Sequence, residues 1–249
     1  MDFAGRDFPE AGIHDETGGF AVLVKPPRMH CAPLGRDGED TLLHRYAEVF
    51  PQAVLLPGRK PGEGGLVHRL DFETGGLVLV AKTRPAFDSF LEQQAAGRFV
   101  KEYSAVCLKS VGLPPGFPPP PAMPDSLAGA AVESRFRPFG PGRKQVRPVT
   151  SPSASGKLYR TEIVAASGGG RRCTAFTLRL ASGFRHQIRC HLAWLGYPIA
   201  NDPLYAPPSA PDIPMFLRAC ALAFDDPETG RRLEYRIAPL ELPADLLYN

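Results

Sequence analysis

The densest group of residues able to do chemistry is Val67-His68-Arg69-Leu70-Asp71-Phe72-Glu73-Thr74-Gly75-Gly76. An acid at the end of a strand, beside a glycine turn, is open to a ligand while held on a rigid element. Such a carboxylate can serve as nucleophile or general base, and a neighbouring cation keeps it ionised. If the strand expected over Leu66 to Leu70 runs on, period-two alternation turns Arg69 and Asp71 to one face. A local Arg69–Asp71 pair that only closes the turn is the competing reading.

The second group runs Ser182-Gly183-Phe184-Arg185-His186-Gln187-Ile188-Arg189-Cys190-His191-Leu192. Its spacing predicts a helix over Arg185 to Leu195, with Ile188, Leu192 and Leu195 buried and Arg185 one turn from Arg189. Like charges at that spacing repel by about 0.2–0.5 kcal/mol. They call for an anion, either a protein carboxylate or a phosphate helped by free N–H groups at the helix start. Two solvated arginines fit the spacing equally well. His186 and Cys190 also lie one turn apart, but no further ligands follow at metal spacing. No phosphate-binding glycine loop, dinucleotide fingerprint, Gly-x-Ser-x-Gly elbow or catalytic Cys-His signature occurs. The expectation is side-chain chemistry with no cofactor and no metal.

The elements that must carry these groups read as a mixture. Strands are expected at Phe20–Lys25, at Leu66–Leu70 in a hairpin with Leu77–Ala81, at Lys101–Val111, near Leu158–Ala166 and at Cys173–Leu180. A last hairpin joins Ala219–Phe224 to Arg232–Ile237. Helices are expected over Thr41–Phe50, with Asp40 as cap, and over Arg84–Arg98. Gly112–Gly156 reads as an insertion: its Leu113–Pro124 part is too rich in proline for a sheet ladder, and only a short strand is expected near Val132–Phe136. Strands and helices do not alternate regularly, which favours an α+β fold with a central, mostly antiparallel mixed sheet and flanking helices.

Composition narrows the setting. The chain has 249 residues, 43% of them hydrophobic, with 28 Pro and 25 Gly, enough for a substantial core despite many turns. No apolar run is long enough to cross a bilayer, and the acidic amino terminus is unlike a secretory signal, so a cytoplasmic protein away from membranes is expected. Five scattered cysteines without Cys-x-x-Cys spacing suit reduced thiols. The net charge of +3 conceals an uneven distribution. From Ser134 to Asn201 the acid is Glu162 alone, against Arg135, Arg137, Arg143, Lys144, Arg147, Lys157, Arg160, Arg171, Arg172, Arg179, Arg185 and Arg189. A segment so basic points to a polyanion, unless its arginines pair with acids elsewhere in the fold.

These motifs resemble the RluA-type RNA pseudouridine synthases. His68-Arg69-Leu70-Asp71-Phe72-Glu73-Thr74-Gly75-Gly76 is similar to that family's His-Arg-Leu-Asp-x-x-Thr-Ser-Gly, Val24-Lys25-Pro26 to its early Lys-Pro motif, and Lys101-Glu102-Tyr103-Ser104-Ala105 to its Lys-x-Tyr-x-Ala strand. Further likenesses are His186-Gln187-Ile188-Arg189-Cys190-His191, Leu195 to Ile199, Asp202-Pro203-Leu204-Tyr205 and Pro227-Glu228-Thr229-Gly230. The resemblance covers about residues 20–240. It implies a catalytic domain there, between an N-terminal extension at 1–19 and a tail at 241–249, with the insertion at about 112–156 and an active-site cleft across the sheet. The implied activity is isomerisation of uridine to pseudouridine in structured ribosomal or transfer RNA, by a monomer. An inactive RNA-binding protein on the same fold is the alternative.

Carried over residue by residue, the resemblance makes Asp71 the nucleophile. Attack on the sugar, attack on the base and initial proton abstraction all remain open. Tyr103 would stack on the target uracil, Arg189 would pair with Asp71, and Arg69 would hold the flipped nucleotide out of its stack, an extrusion the buried glycosidic bond requires. Lys25, His68, Thr74, Arg185, His186 and Gln187 would contact RNA. Gly75 stands for the family's Ser, Ser182-Gly183-Phe184 for Thr-Gly-Arg, and Leu217-Arg218-Ala219 for Leu-His-Ala. One polar group on the RNA side is therefore either missing or supplied by Arg185. The chain begins too near its first motif for a preceding RNA-binding domain, so recognition is expected to rest on the catalytic domain.

Overall fold

The computed structural model describes residues 10–35, 39–110, 112–151, 153–169, 173–206 and 212–241. The expected ends of the extension and tail, together with Val111, Arg171 and Arg172, lie outside these. Among the described residues ten strands and three α-helices give the expected mixed α+β fold, and every strand pairing with a described register is antiparallel. They divide between two compact units.

The first unit comprises residues up to Lys101 with Ala219–Ala238. Its strands are β1 (Gly12–Glu16), β2 (Phe20–Lys25), β3 (Gly75–Ala81), most of β9 (Leu217–Asp225) and β10 (Arg232–Arg236), bonded in the order β1-β2-β3-β9 with β10 on β9. β1 lies in the stretch expected to precede the fold and pairs with β2. Phe20, Val22, Leu77 and Leu79 pack with Phe87 and Phe90 of α2 (Arg84–Ala95) and with Phe99, Leu222 and Phe224. Alternate positions of paired strands and one stripe of an amphipathic helix make this core. α1 (Leu42–Val49) is capped by Thr41, whose hydroxyl accepts from His44 N–H at 3.2 Å, not by Asp40. Asp40 instead forms a two-point pair with Arg45.

The expected strand at Leu66–Leu70 does not form. Only an isolated bridge, Leu66 to Val80, and a Val67 N–H to Leu79 carbonyl bond (3.0 Å) join this stretch to β3, whose ladder goes to β2. The chain from His68 to Thr74 is therefore a loop, and strand alternation no longer governs Arg69 and Asp71. At the start of β3, Gly76 has φ +120°, and a Cβ there would meet the Ala219 carbonyl oxygen at 2.2 Å, so only glycine fits.

The second unit comprises Glu102–Arg218 with residues 239–241. Here β4 (Val100–Leu108), β8 (Cys173–Leu180), β7 (Tyr159–Gly169), β5 (Ala131–Phe139) and β6 (Gln145–Val149) follow one another in hydrogen-bonding order. The supposed insertion thus contributes a full hairpin, β5–β6, and β5 also pairs with β7. α3 spans Gln187–Trp194, starting two residues later than expected because His186 takes a left-handed conformation (φ 56°). Arg185 is therefore off the helix. The proline-rich excursion is anchored: the Trp194 indole N–H contacts the carbonyls of Pro118 and Pro119, each at 3.0 Å. Arg147, fully buried, donates to the Pro115 carbonyl at 2.8 Å and sits between the rings of Phe117 (4.4 Å) and Phe139 (4.1 Å).

Candidate active site

Asp71 is partly exposed on the loop that precedes β3. The segment Lys25–Cys31 grips its neighbours on both sides. On one side, the buried Cys31 thiol accepts from the Leu70 N–H (3.2 Å) and donates to the Leu70 carbonyl (3.6 Å). On the other, the Phe72 carbonyl accepts from the Arg28 N–H (2.7 Å) and from Lys25 Nζ (3.3 Å), while the His30 and Phe72 rings lie 4.7 Å apart. Arg28 also pairs with Glu73 at 3.6 Å, and the Asp71 carbonyl accepts from the Thr74 N–H at 3.0 Å. The carbonyls of His30 and Cys31 in turn satisfy the first N–H groups of α1, from Leu42 (2.9 Å) and Leu43 (3.0 Å). A helix start, a loop and the acid-bearing turn are thus one hydrogen-bonded assembly.

Lys25 is central to that assembly. It is completely buried, and Nζ donates to Pro26 and Met29 carbonyls (2.8 Å each) as well as to Phe72, one acceptor for each ammonium proton. Burial pulls its pKa down to about 8, opposed by the nearby carboxylates of Asp71 and Glu73. Expected to contact RNA, this ammonium has its hydrogen bonds inside the protein. Gly75 packs into the same place. A Cβ there would come within 3.2 Å of the Pro27 ring, so a serine at this position would press against Pro27.

The other expected contacts divide by burial. His68 exposes part of its surface, but Nδ1 is sealed off without a hydrogen-bond partner. Nε2 accepts from the Leu79 N–H at 3.3 Å, which puts the neutral ring's proton on Nδ1. Burial, with the nearby Lys101 and Arg59 cations, holds its pKa well below the ordinary value. It offers RNA no charge. Thr74 and Gln187, also expected to contact RNA, are both buried. Gln187 accepts from the Phe184 N–H (3.0 Å) and donates to the Arg160 carbonyl and Thr161 hydroxyl (3.0 Å each), so it fastens the start of α3 to β7. Arg69 is half exposed and pairs with Glu63 at 2.8 Å, a carboxylate that the sequence did not single out.

In the second unit Tyr103 is buried on β4. Arg189, also buried, makes a two-point pair with Asp202 through Nε (2.7 Å) and Nη2 (2.8 Å). Asp202 further accepts from the N–H groups of Leu204 (2.8 Å) and Tyr205 (3.1 Å). This pairing uses one edge of the guanidinium. His191 bridges the hydroxyls of Ser134 (2.9 Å) and Thr161 (2.8 Å), and burial lowers its pKa to about 3, so it is a neutral tie between α3, β5 and β7. Cys190 donates to the Val146 carbonyl at 3.5 Å with its pKa raised to about 12 by burial. The exposed Arg185 donates from Nη2 to the carbonyls of Arg143 (2.7 Å) and Gln145 (3.4 Å). His186 touches Tyr205 edge-on. Among the described residues no group of three His, Cys, Asp or Glu is placed to hold a metal ion, and no helix is long and apolar enough to cross a membrane.

Sequence reasoning missed Arg28, His30, Cys31 and Asp202. Asp202 stood inside a matched motif without a role. Arg28 betrays itself only through its left-handed backbone (φ 62°), which residue type does not announce.

Residues 19–194 match the family described as RNA pseudouridylate synthase. An uncharacterized RNA pseudouridine synthase from Chloroflexus aurantiacus is 32% identical over 224 residues, covering 89% of this chain and 63% of that protein. Ribosomal large subunit pseudouridine synthase D from Yersinia pestis is 26% identical over 205 residues, covering 82% of this chain and 54% of its own. The chain therefore spans between half and two thirds of the length of these relatives. Among solved structures, human RNA pseudouridylate synthase domain containing 1 superposes with a TM-score of 0.64 at 21% identity, covering 96% of this chain and 86% of that one, which is a likeness of fold.

Proposed function

The chain belongs to the RNA pseudouridylate synthase family, and on that premise we propose that it isomerises uridine to pseudouridine within RNA, with Asp71 as the attacking carboxylate. The observation that carries the proposal is the grip on the Asp71 turn: Leu70 is tied by Cys31 and Phe72 by Lys25 and Arg28, while the acid itself stays partly exposed. A turn fixed on both flanks holds a nucleophile in position through its backbone neighbours.

In the reaction the bond from the sugar C1′ to uracil N1 breaks and a bond from C1′ to C5 forms. N1 gains a proton and C5 loses one to water. Tyr103, by family resemblance, is assigned to the uracil near C5, and Asp202 fixes the guanidinium of Arg189. Arg69 and Arg185 are the exposed cations assigned to RNA. Structured ribosomal or transfer RNA is the proposed substrate, and ribosomal RNA is the first to test, given the name of the Yersinia relative.

The test is tritium release from RNA labelled at uridine C5, using unmodified ribosomal and transfer RNA transcripts. Release that disappears in Asp71→Asn is expected. RNA binding without release from any transcript overturns the enzymatic reading in favour of an RNA-binding protein on this fold. Release that survives Asp71→Asn overturns the assignment of the nucleophile.

A further inference from the structure

We propose that the tip of the β5–β6 hairpin together with Arg185 forms a clamp for RNA backbone phosphates. The proposal rests on the enzymatic reading above for its substrate and adds a contact surface to it.

The tip is Gly140-Pro141-Gly142-Arg143-Lys144. Arg143 and Lys144 are exposed, and the Arg185 guanidinium reaches over to bond the carbonyls of Arg143 and Gln145. Three cations thus converge on one turn, and none of them has a carboxylate partner among the described residues. Other cations of the basic segment are engaged: Arg160 with Glu133 (2.8 Å) and Glu162 (3.2 Å), Arg179 with Glu102 (3.2 Å), Arg189 with Asp202, and Arg147 with carbonyls and rings. Displayed charge without internal compensation suits a polyanion.

The turn is also preorganised. Arg143 sits at φ 54° and His186, next to Arg185, at φ 56°, in a region that residues other than glycine and asparagine rarely adopt. Strained backbone held by its surroundings tends to mark functional positions. The surroundings here are specific. Phe184, which stands where the resemblance expects an arginine, stacks on Phe136 of β5 (centroids 5.0 Å apart, planes at 4°) and lies 5.0 Å from the Tyr159 ring. The cation expected at 184 has moved one residue on, and the aromatic stack fixes the 184–185 segment against the hairpin. Arg147 ties the hairpin to the proline-rich excursion through the Pro115 carbonyl and the Phe117 ring. The excursion then serves as a strut for an RNA contact. Regular phosphate spacing, rather than an acidic protein surface, is the partner favoured by three exposed cations presented on one turn, one of them bonded to its carbonyls.

The test compares wild type with Arg143→Asn/Lys144→Gln. Asparagine tolerates the left-handed backbone, so the fold is retained, as circular dichroism and thermal melting will verify. Filter binding of an unmodified ribosomal RNA transcript is measured across a salt series. The expected result is a plot of log affinity against log salt shallower by about 0.7–0.9 for each phosphate no longer neutralised. KM in the tritium assay should rise about 5–10-fold at moderate salt with the rate at saturating RNA unchanged. Arg84→Gln, which removes a cation paired with Asp88 on α2, should leave the slope as it is. An unchanged slope and KM in the double variant overturns the clamp, as does competition by poly(glutamate) equal to that by RNA at matched charge. If wild type binds with the steep slope but never releases tritium, the enzymatic reading fails and the clamp stands. If tritium release is intact and the slope does not move, the clamp alone fails.

Discussion

Lys25 lies wholly buried with its three protons on three carbonyls, whereas Arg143, Lys144 and Arg185 meet at an exposed turn without a carboxylate partner among the described residues. Both arrangements use cations, to different ends. Around Asp71 the positive charge is converted into geometry: a saturated ammonium fixes where two chain segments sit. At the hairpin tip the charge is kept available and geometry is supplied by rings and strained backbone. The difference separates rate from affinity. Damage beside Asp71 should lower kcat, and damage at the tip should raise KM and flatten the salt dependence.

The largest effect tests the first half of that contrast. Asp71→Asn should lower tritium release by more than about 1,000-fold while RNA affinity stays within about threefold, because the substitution keeps shape and removes the attacking charge. A loss of affinity equal to the loss of rate would break the contrast, since Asp71 would then be holding RNA. Next comes the buried Arg189–Asp202 pair, which shares a unit with the tip but not its exposure. Asp202→Ala leaves a buried cation without this carboxylate and two orphaned N–H groups, and should cost about 3–5 kcal/mol in denaturant unfolding. Arg185→Gln in the same unit should cost less than about 0.5 kcal/mol. Equal costs would show that the unit, not burial, sets the response.

Lys25→Met strands three carbonyl acceptors and should destabilise the protein by about 2–4 kcal/mol. Its pH dependence has a defined sign. Folded Lys25 gives up its proton near pH 8, whereas in the unfolded chain it holds it to its ordinary 10.5. Over that window the unfolded state binds more protons, so wild type gains stability relative to Lys25→Met as pH rises, by at most about 1.4 kcal/mol per pH unit. Meanwhile kcat should fall through the same window, because a neutral amine has two N–H groups for three carbonyls. Unfolding curves for both proteins from pH 7 to 10 check the first statement, and single-turnover rates the second. Parallel stability profiles would remove Lys25 titration from the account.

Much of this was legible in the residues. The apolar spacing of Phe20–Lys25, of α2 and of Cys173–Leu180 located those elements, and the run from His68 to Gly76 located the acid. What escaped was set by contacts remote in sequence. Leu66–Leu70 has strand composition, yet β3 gives its ladder to β2, so the stretch becomes a loop shaped by Cys31 and Glu63. The insertion looked hostile to sheet structure because of its prolines, but the hairpin begins after them and is held by Arg147, one of the arginines the sequence counted as surface charge. Residue type could not separate Lys25 from Arg185: both are cations in matched motifs, and only burial shows that one is structural.

Cys31→Val is the smallest and most discriminating change. Valine fills the place of the thiol and adds about one methyl group beneath Leu70, so no cavity opens and the added volume carries its own packing cost. What is lost is a weak pair of sulfur hydrogen bonds, one accepted from the Leu70 N–H and one donated to its carbonyl. Leaving both backbone groups unpaired in the interior should cost about 1–2 kcal/mol. The thiol is silent as a charge, since burial raises its pKa, so the substitution moves no electrostatic quantity that RNA could sense. KM and the salt slope should therefore stay at wild-type values, while kcat falls severalfold because Leu70 is covalently next to Asp71 and a displacement well under 1 Å is enough to disturb an attacking group. Cys31→Ser, which restores a donor and acceptor with shorter bonds, should recover part of that kcat. A Cys31→Val protein with raised KM and unaltered kcat would mean that the segment Lys25–Cys31 contacts RNA after all, and the division between a geometric and an electrostatic region would fail at its most sensitive point.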